Sequence, residues 1–221
     1  MQNPSSYNGS GTTVTDIQQN SSASMVNGPT FNSSGTRYMG FDGANDYLIT
    51  TTSLNADLSP ANTSTVISIF AWVYMLGNGM ILSEQGTSTV DSAWYDGQIE
   101  LVSGTLRFSV WPYTAGVPKI TSSIATNLNT WYYVGFTYDG TTLRAYVNDG
   151  LAGSSTYARI SPYNDNSGRG LYYTIAYRSA TNQGSTTYAN MRLGAFHIYN
   201  TALSQIQIAD NYRKSKTIYG V

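Results

Sequence analysis

Few residues in this chain can do covalent chemistry, and their spacing limits what they can do. Glutamate occurs twice, as Glu84 and Glu100, and neither has an acid two residues along. Glycoside hydrolysis, retaining or inverting, needs two carboxylates across the scissile bond, so these isolated acids predict no glycosidase. His197 is the sole histidine and sits between Phe196 and Ile198. A triad would need it beside a nucleophile and an orienting acid, and its apolar neighbours read instead as a strand with one face on the core. There is no cysteine, which removes disulfides, thiolate zinc sites and a Cys nucleophile. Catalytic residues are therefore expected to be none.

Binding chemistry has more candidates. Asp42, Asn45 and Asp46 crowd into the run FDGAND, which reads first as a turn whose Asp and Asn side chains accept local backbone N–H groups. Trp94, Tyr95, Tyr113, Tyr163, Tyr172 and Tyr173 fall in or beside loops. Their rings could stack on sugars, yet a rigid apolar body with a polar tip is also what protein interfaces prefer. A sugar site needs a convergent pocket, which tips the reading toward protein contact. Arg213, Lys214 and Lys216 form a small basic tail, solvated and frayed or docked on an acidic neighbour.

The elements that position these residues are strands. Of 221 residues only 10% are charged, against about 25% in an average domain. Good helix formers are scarce, while 19 Tyr and 21 Gly with abundant Ser, Thr and Asn favour strands joined by turns. The class is all-β. Net charge is −1, which removes the electrostatic term behind nucleic-acid binding, and no apolar stretch is long enough for a membrane span. The opening MQNPSSYNGSGTT has neither a basic nor an apolar region of a secretory leader.

Residues 1–36 are polar and read as an arm pinned by Tyr7, Val14, Ile17 and Phe31 onto a single domain over 37–221. Within Thr65–Met75, Val66, Phe70, Trp72 and Tyr74 share one face and Ile67, Ile69, Ala71 and Val73 the other, as in a central strand covered on both sides. Phe70, Trp72, Val134, Phe136, Leu143, Val147, Leu193 and Phe196 are the expected inward residues. Ser103-Gly104 and Asp139-Gly140 read as hairpin turns, the second as a tight type I′ turn. Ser204 to Gln207 fits a capping box opening one short helix that ends near Arg213 and Lys214.

These pieces in order resemble the laminin-G-like, concanavalin A-like lectin/glucanase superfamily. They are Phe41-Asp42-Gly43 with Asp46-Tyr47, Ile69 to Val73, Ile81 to Glu84, Leu128 to Val134, Tyr138 to Thr141, Leu143 to Asn148, and Arg192 to Asn200 with Ala202-Leu203-Ser204. The early stretch around Asn3 to Tyr7, Gly11 to Asp16 and Asn27 to Phe31 is similar to the version in phage structural proteins. The resemblance implies a jelly-roll sandwich of two antiparallel sheets. It also implies that an apolar strand usually precedes this stretch, leaving a sheet edge here to be covered by other means. The family's glucanases carry alternating acids on one strand, a pattern absent here. Its modules often hold a calcium ion at the sandwich rim, for which Asp42, Asn45 and Asp46 are the candidates, although six or more oxygens are needed. The fold itself fixes no activity.

The reading reached is a non-catalytic virion structural protein. It would be a capsid decoration (cement) protein of a phage particle, clamping major capsid protein subunits as a trimer, with Tyr7, Phe31, Trp94, Tyr95, Tyr113, Tyr163, Arg213, Lys214 and Lys216 as contact residues. It would need no cofactor, calcium being the one candidate, and no nucleic acid or membrane. The alternative is a carbohydrate-binding, lectin-like module of a phage tail or cell surface.

Overall fold

Alternation of apolar and polar residues dictates pleated strands, and two apolar faces on one strand demand cover from both sides. The computed structural model describes residues 3–18, 21–54, 66–91, 95–110, 119–156, 170–178 and 187–221, with Tyr95 and Asp96 in backbone only. Trp94, Tyr113 and Tyr163 lie outside the described residues. The first nine strands are β1 Thr13–Thr15, β2 Ser22–Val26, β3 Thr30–Asn32, β4 Tyr38–Asp42, β5 Tyr47–Thr50, β6 Ile67–Met75, β7 Gly79–Gln85, β8 Tyr95–Val102 and β9 Thr105–Phe108. Then come β10 Ile120–Thr121, β11 Trp131–Tyr138, β12 Thr142–Val147, β13 Gly150–Thr156, β14 Tyr172–Ile175, β15 Tyr177–Arg178, β16 Thr187–Tyr188 and β17 Asn190–Tyr199. A helix α1, Gln205–Ser215, and a 3-10 turn, Lys216–Tyr219, close the chain.

Two large antiparallel sheets result, with β15 and β16 pairing as a separate two-stranded ribbon. One has eight strands in the order β1-β2-β5-β14-β7-β8-β9-β10; the other has seven, β13-β12-β11-β6-β17-β4-β3. This is the expected jelly-roll sandwich. The FDGAND turn joins β4 to β5 and so carries the chain from the seven-stranded sheet to the eight-stranded one. Residues 13–32 supply edge strands to both sheets: β1 and β2 to the larger, β3 to the smaller.

The seven-stranded sheet separates two cores. Ile67, Ile69, Ala71 and Val73 face the other sheet together with Val134, Phe136, Leu143, Val147 and Leu193, and Phe196 packs half-buried against them. Phe70 and Trp72 point the opposite way, into an aromatic core with Trp131, Tyr133, Tyr146, Ile208 and Tyr219. That outward core lies beneath α1, so the expected helix is what covers the second face of β6. Trp72 stacks on Tyr219 at 4.3 Å and 18°, and its Nε1 donates to Ser215 Oγ at 2.9 Å. Gly194 is glycine for steric reasons, because a Cβ there would enter the Tyr219 ring.

The capping box forms as expected: Ser204 Oγ accepts from the Gln207 amide, and Gln207 Oε1 accepts from the Ser204 amide. The tail beyond it is not frayed. The 3-10 turn folds back and buries Tyr219, which is 4% exposed.

One turn differs from expectation. Ser103 and Gly104 both have positive φ, 50° and 76°, as a type I′ turn requires. At Asp139-Gly140 only the glycine does, at 97°. The Asp139 carboxylate accepts from the Thr141 and Thr142 amides and from Arg144. That local chelation closes a wider turn with Asp139 in ordinary backbone geometry.

Candidate functional site

The sequence candidates among the described residues do not gather into one patch. Tyr7 and Phe31, read as contact residues, belong to the core: their rings meet edge-on at 5.0 Å and 88°, Tyr7 is 6% exposed, and its hydroxyl donates to the Gly11 carbonyl. Val14 is buried beside them, whereas Ile17 is exposed. Arg213 pairs with Asp210 one helical turn away at 3.3 Å in full solvent, and the Lys216 ammonium lies over the Tyr212 ring. Lys214 is exposed in the last turn of α1, where a cation complements the helix dipole.

The two glutamates are engaged by neighbouring side chains. Glu84 is fully buried and accepts from the Tyr173 hydroxyl at 3.1 Å and from the Gln98 amide. Glu100 lies 3.7 Å from both Arg107 and Arg178. Tyr172 is half-buried on β14, opposite Gln85. His197 projects to the outward side of the seven-stranded sheet, and burial pulls its pKa down to about 4.

Asp42, Asn45 and Asp46 are together, and their local chemistry is that of a turn. Asp42 Oδ1 accepts from the Ala44 amide at 2.7 Å and the Asn45 amide at 3.3 Å, and the Ala44 bond leads in holding its carboxyl below the usual range. Asp46 Oδ2 accepts from the Asp42 amide. The Asn45 carbonyl accepts from Asn27 Nδ2. Calcium takes six to eight oxygens; among the described residues no three His, Cys, Asp or Glu gather for a metal. Asp46 is 5% exposed; burial pushes its carboxyl above the usual range. Its Oδ1 takes no hydrogen bond among the described residues.

What surrounds that turn was not legible in the sequence. The pairing register sets Thr30, Gly40, Arg192, Tyr74 and Trp131 in one row across β3, β4, β17, β6 and β11. The row faces outward, because the alternate residues Met39, Phe41, Met191 and Leu193 face the core. The Arg192 guanidinium is clamped between two rings, 4.8 Å from the Tyr38 centroid and 4.7 Å from that of Tyr74. Such contacts contribute about 0.5–1 kcal/mol each near the surface. They fix the guanidinium without consuming its N–H donors, and among the described residues Arg192 has no carboxylate partner. Gly40 leaves a gap beside it.

The gap is a depression of about 220 Å³ lined by Thr30, Tyr38, Gly40, Phe41, Asp42, Asp46, Leu76, Met191 and Arg192. It is smaller than the roughly 300–1,000 Å³ of drug-sized sites. A donor-rich cation, a nearly sealed carboxylate and a threonine line it together with the half-buried Leu76. The signal available in the sequence was the alternation Tyr38-Met39-Gly40-Phe41 and Met191-Arg192-Leu193, which places Tyr38, Gly40 and Arg192 on the face away from the core.

A second concavity of about 450 Å³ lies at the opposite end of the same face. Thr137, Asp139, Arg144, Tyr146, Leu151 and residues 202–205 before and at the start of α1 line it. Its arginine is occupied, since Arg144 Nη1 lies 2.6 Å from Asp139 Oδ2.

Comparison with known proteins follows this geometry. A family model described as the concanavalin A-like lectin/glucanases superfamily matches residues 42–209. No curated protein sequence matches the chain. Among solved structures, the binding domain of botulinum neurotoxin DC in complex with SialylT superposes with a TM-score of 0.65 at 16% identity, over 91% of this chain and 48% of that one. The same domain in complex with rat synaptotagmin II gives 0.63 at 16% identity with the same coverage. Trypanosoma rangeli sialidase gives 0.62 at 16% identity, over 95% of this chain and 32% of that one. The chain thus spans about half of the toxin domain and a third of the sialidase. At this identity the likeness is one of fold.

Proposed function

The chain belongs to the concanavalin A-like lectin/glucanase superfamily, and from that premise we propose that it is a non-catalytic carbohydrate-binding module. The observation that carries the reading is the depression over Gly40. There Arg192, clamped by Tyr38 and Tyr74, and Asp46, nearly buried beside the turn, line the same small space without pairing with each other. Polar groups that converge without satisfying one another are what a hydroxyl-rich ligand completes, since it both donates and accepts.

Fold neighbours support this reading. One toxin-domain structure holds SialylT, and cell entry of botulinum neurotoxin type C is dependent upon interaction with two ganglioside molecules. The capsid-decoration reading stands on composition and on the polar N-terminal segment. The same applies to the virion location, the capsid partner and the trimer.

Absence of catalysis is supported by where the glutamates sit. Glu84 is sealed in a hydrogen-bonded cluster and Glu100 is held between two arginines. Both are already engaged, in contrast to a glycosidase pair, whose two carboxylates flank an open cleft at a separation of roughly 5–10 Å.

Titration of the intact chain on a broad glycan array, followed by calorimetry, tests the proposal. Saccharide binding weakened about tenfold in Arg192→Ala, with the chain still folded and its melting transition lowered no further than the loss of two cation–π contacts accounts for, is the expected result. No binding to any saccharide, or release of reducing ends from a polysaccharide, overturns it.

A further inference from the structure

Resting on that reading, we infer that the depression over Gly40 selects an uncharged sugar ring through two adjacent hydroxyls, held between Asp46 and Arg192, and rejects acidic saccharides. The first argument is charge. The lining carries one cation, Arg192, and two carboxylates, Asp42 and Asp46. A ligand carboxylate or sulfate drawn to Arg192 would sit in the same small space as two acids, so the attraction is offset at short range. A neutral hydroxyl meets no such opposition.

Hydrogen-bond inventory is the second argument. Asp46 Oδ1 can only accept, and the guanidinium of Arg192 can only donate. Neither is served by the other, for the two form no ion pair. A pair of vicinal hydroxyls resolves both needs: one donates to the carboxylate while its neighbour accepts from the guanidinium, and each bond is charge-assisted. An acidic group could satisfy Arg192 but would leave Asp46 facing another acceptor. Thr30, whose hydroxyl reaches only weakly toward the Gly40 carbonyl at 3.4 Å, offers a further adaptable contact.

Size and shape give the third. Leu76, half-buried at the rim, supplies an apolar contact for the C–H face of a ring. Gly40 supplies clearance: a Cβ at that position would already come within 2.8 Å of Thr30 Oγ1, and a longer side chain would fill the space. Gly40 thus sets the size of the site, and Tyr38 and Tyr74 act as positioning residues that aim Arg192.

The experiment compares methyl glycosides of glucose, galactose and mannose with the methyl glycoside of N-acetylneuraminic acid, by calorimetry on the intact chain. At least one neutral glycoside should bind, and the acidic one about tenfold or more weaker. Affinity for the neutral ring should hold steady from about 0.05 to 0.5 M salt, because no net ligand charge is there to screen. Asp46→Asn should lower it about tenfold or more, and Gly40→Leu should abolish it, each with the wild-type circular dichroism spectrum. Preference for the acidic glycoside, weakened by salt, would overturn this inference and leave the carbohydrate-binding reading standing. Neutral binding indifferent to both substitutions would overturn it too, by placing the sugar elsewhere. Failure of every glycoside to bind would count against the carbohydrate reading itself.

Discussion

Arg144 and Arg192 project from the same outward face of the seven-stranded sheet, at opposite ends, and each borders a concavity. Arg144 is closed. Its guanidinium meets Asp139 at 2.6 Å, and Asp139 in turn holds the Thr141 and Thr142 amides, so the pair belongs to the turn between β11 and β12. Arg192 is open: two tyrosine rings fix its position while its donors stay available. An arginine with a local carboxylate is part of the fold, whereas one held by π-faces keeps its hydrogen-bonding capacity for something else. The neighbouring acids follow suit. Hydrogen bonding by Arg144 holds the Asp139 carboxyl well below its ordinary range, whereas burial pushes that of Asp46 above it.

The comparison is tested most severely through its two glycines. Gly135, opposite Tyr146 on the closed side, has no room for a methyl group, since a Cβ would run into the Ile69 carbonyl and the Phe70 ring. Gly135→Ala should cost about 3 kcal/mol or more in urea unfolding. Gly40→Ala on the open side meets only a hydroxyl, and its cost should stay within about 1 kcal/mol. Comparable losses at both positions would mean that the open end is packed as tightly as the closed one.

His197 adds a pH check on the same outward face. Its pKa is near 4 in the folded chain, below the ordinary 6.5, chiefly because burial disfavours the charged ring. The unfolded chain then binds more protons between these values, so stability is lost as pH falls from about 6.5 toward 4. A loss of roughly 2 kcal/mol across that window is expected. It should be flattened in His197→Phe, measured by denaturant midpoints at pH 7 and pH 4.5.

Binding and stability should separate at the two arginines. Arg192→Ala should weaken saccharide binding by about tenfold, near 1.4 kcal/mol, while Arg144→Ala leaves binding unchanged. Equal effects on binding would erase the distinction drawn between them.

The smallest effect concerns the two aspartates. The lowered pKa of Asp139 means its contribution is present above pH 3.8 and lost as pH falls through the folded value. Asp139→Asn should therefore destabilise at pH 7, by less than about 1 kcal/mol since the pair is partly exposed. The raised pKa of Asp46 has the opposite sign: its contribution is largest at low pH and is lost as pH rises through the folded value. Asp46→Asn should leave the pH 7 denaturant midpoint unchanged or slightly higher. A clear fall there would assign Asp46 to the fold rather than to the site.

Much of the architecture was written locally. Period-two alternation in Ile67 to Met75 assigned Ile69 and Trp72 to opposite faces, because a pleated backbone leaves a side chain no other choice. The capping box at Ser204 to Gln207 announced its helix because its hydrogen bonds close within four residues. The crowding of Asp42 and Asp46 marked half of the depression for the same reason. The type I′ reading of Asp139-Gly140 failed because it ignored a carboxylate able to capture two amides and an arginine.

The rest belongs to tertiary structure. Thr30, Gly40, Tyr74 and Arg192 are separated by up to 162 positions and share a row only because β3, β4, β17 and β6 pair in one register. The sequence determined that Arg192 faces outward, away from Met191 and Leu193. It did not determine that the residues across from it are a glycine and a tyrosine, which makes a gap and a clamp instead of an ion pair. Tyr7 and Phe31 were legible as pins of a polar arm, but that they meet each other edge-on, and that the last turn folds back to bury Tyr219, was decided by the closing of the sheets. Local periodicity sets which way a side chain points; strand order and register set what it meets there, and a binding site is made of such meetings.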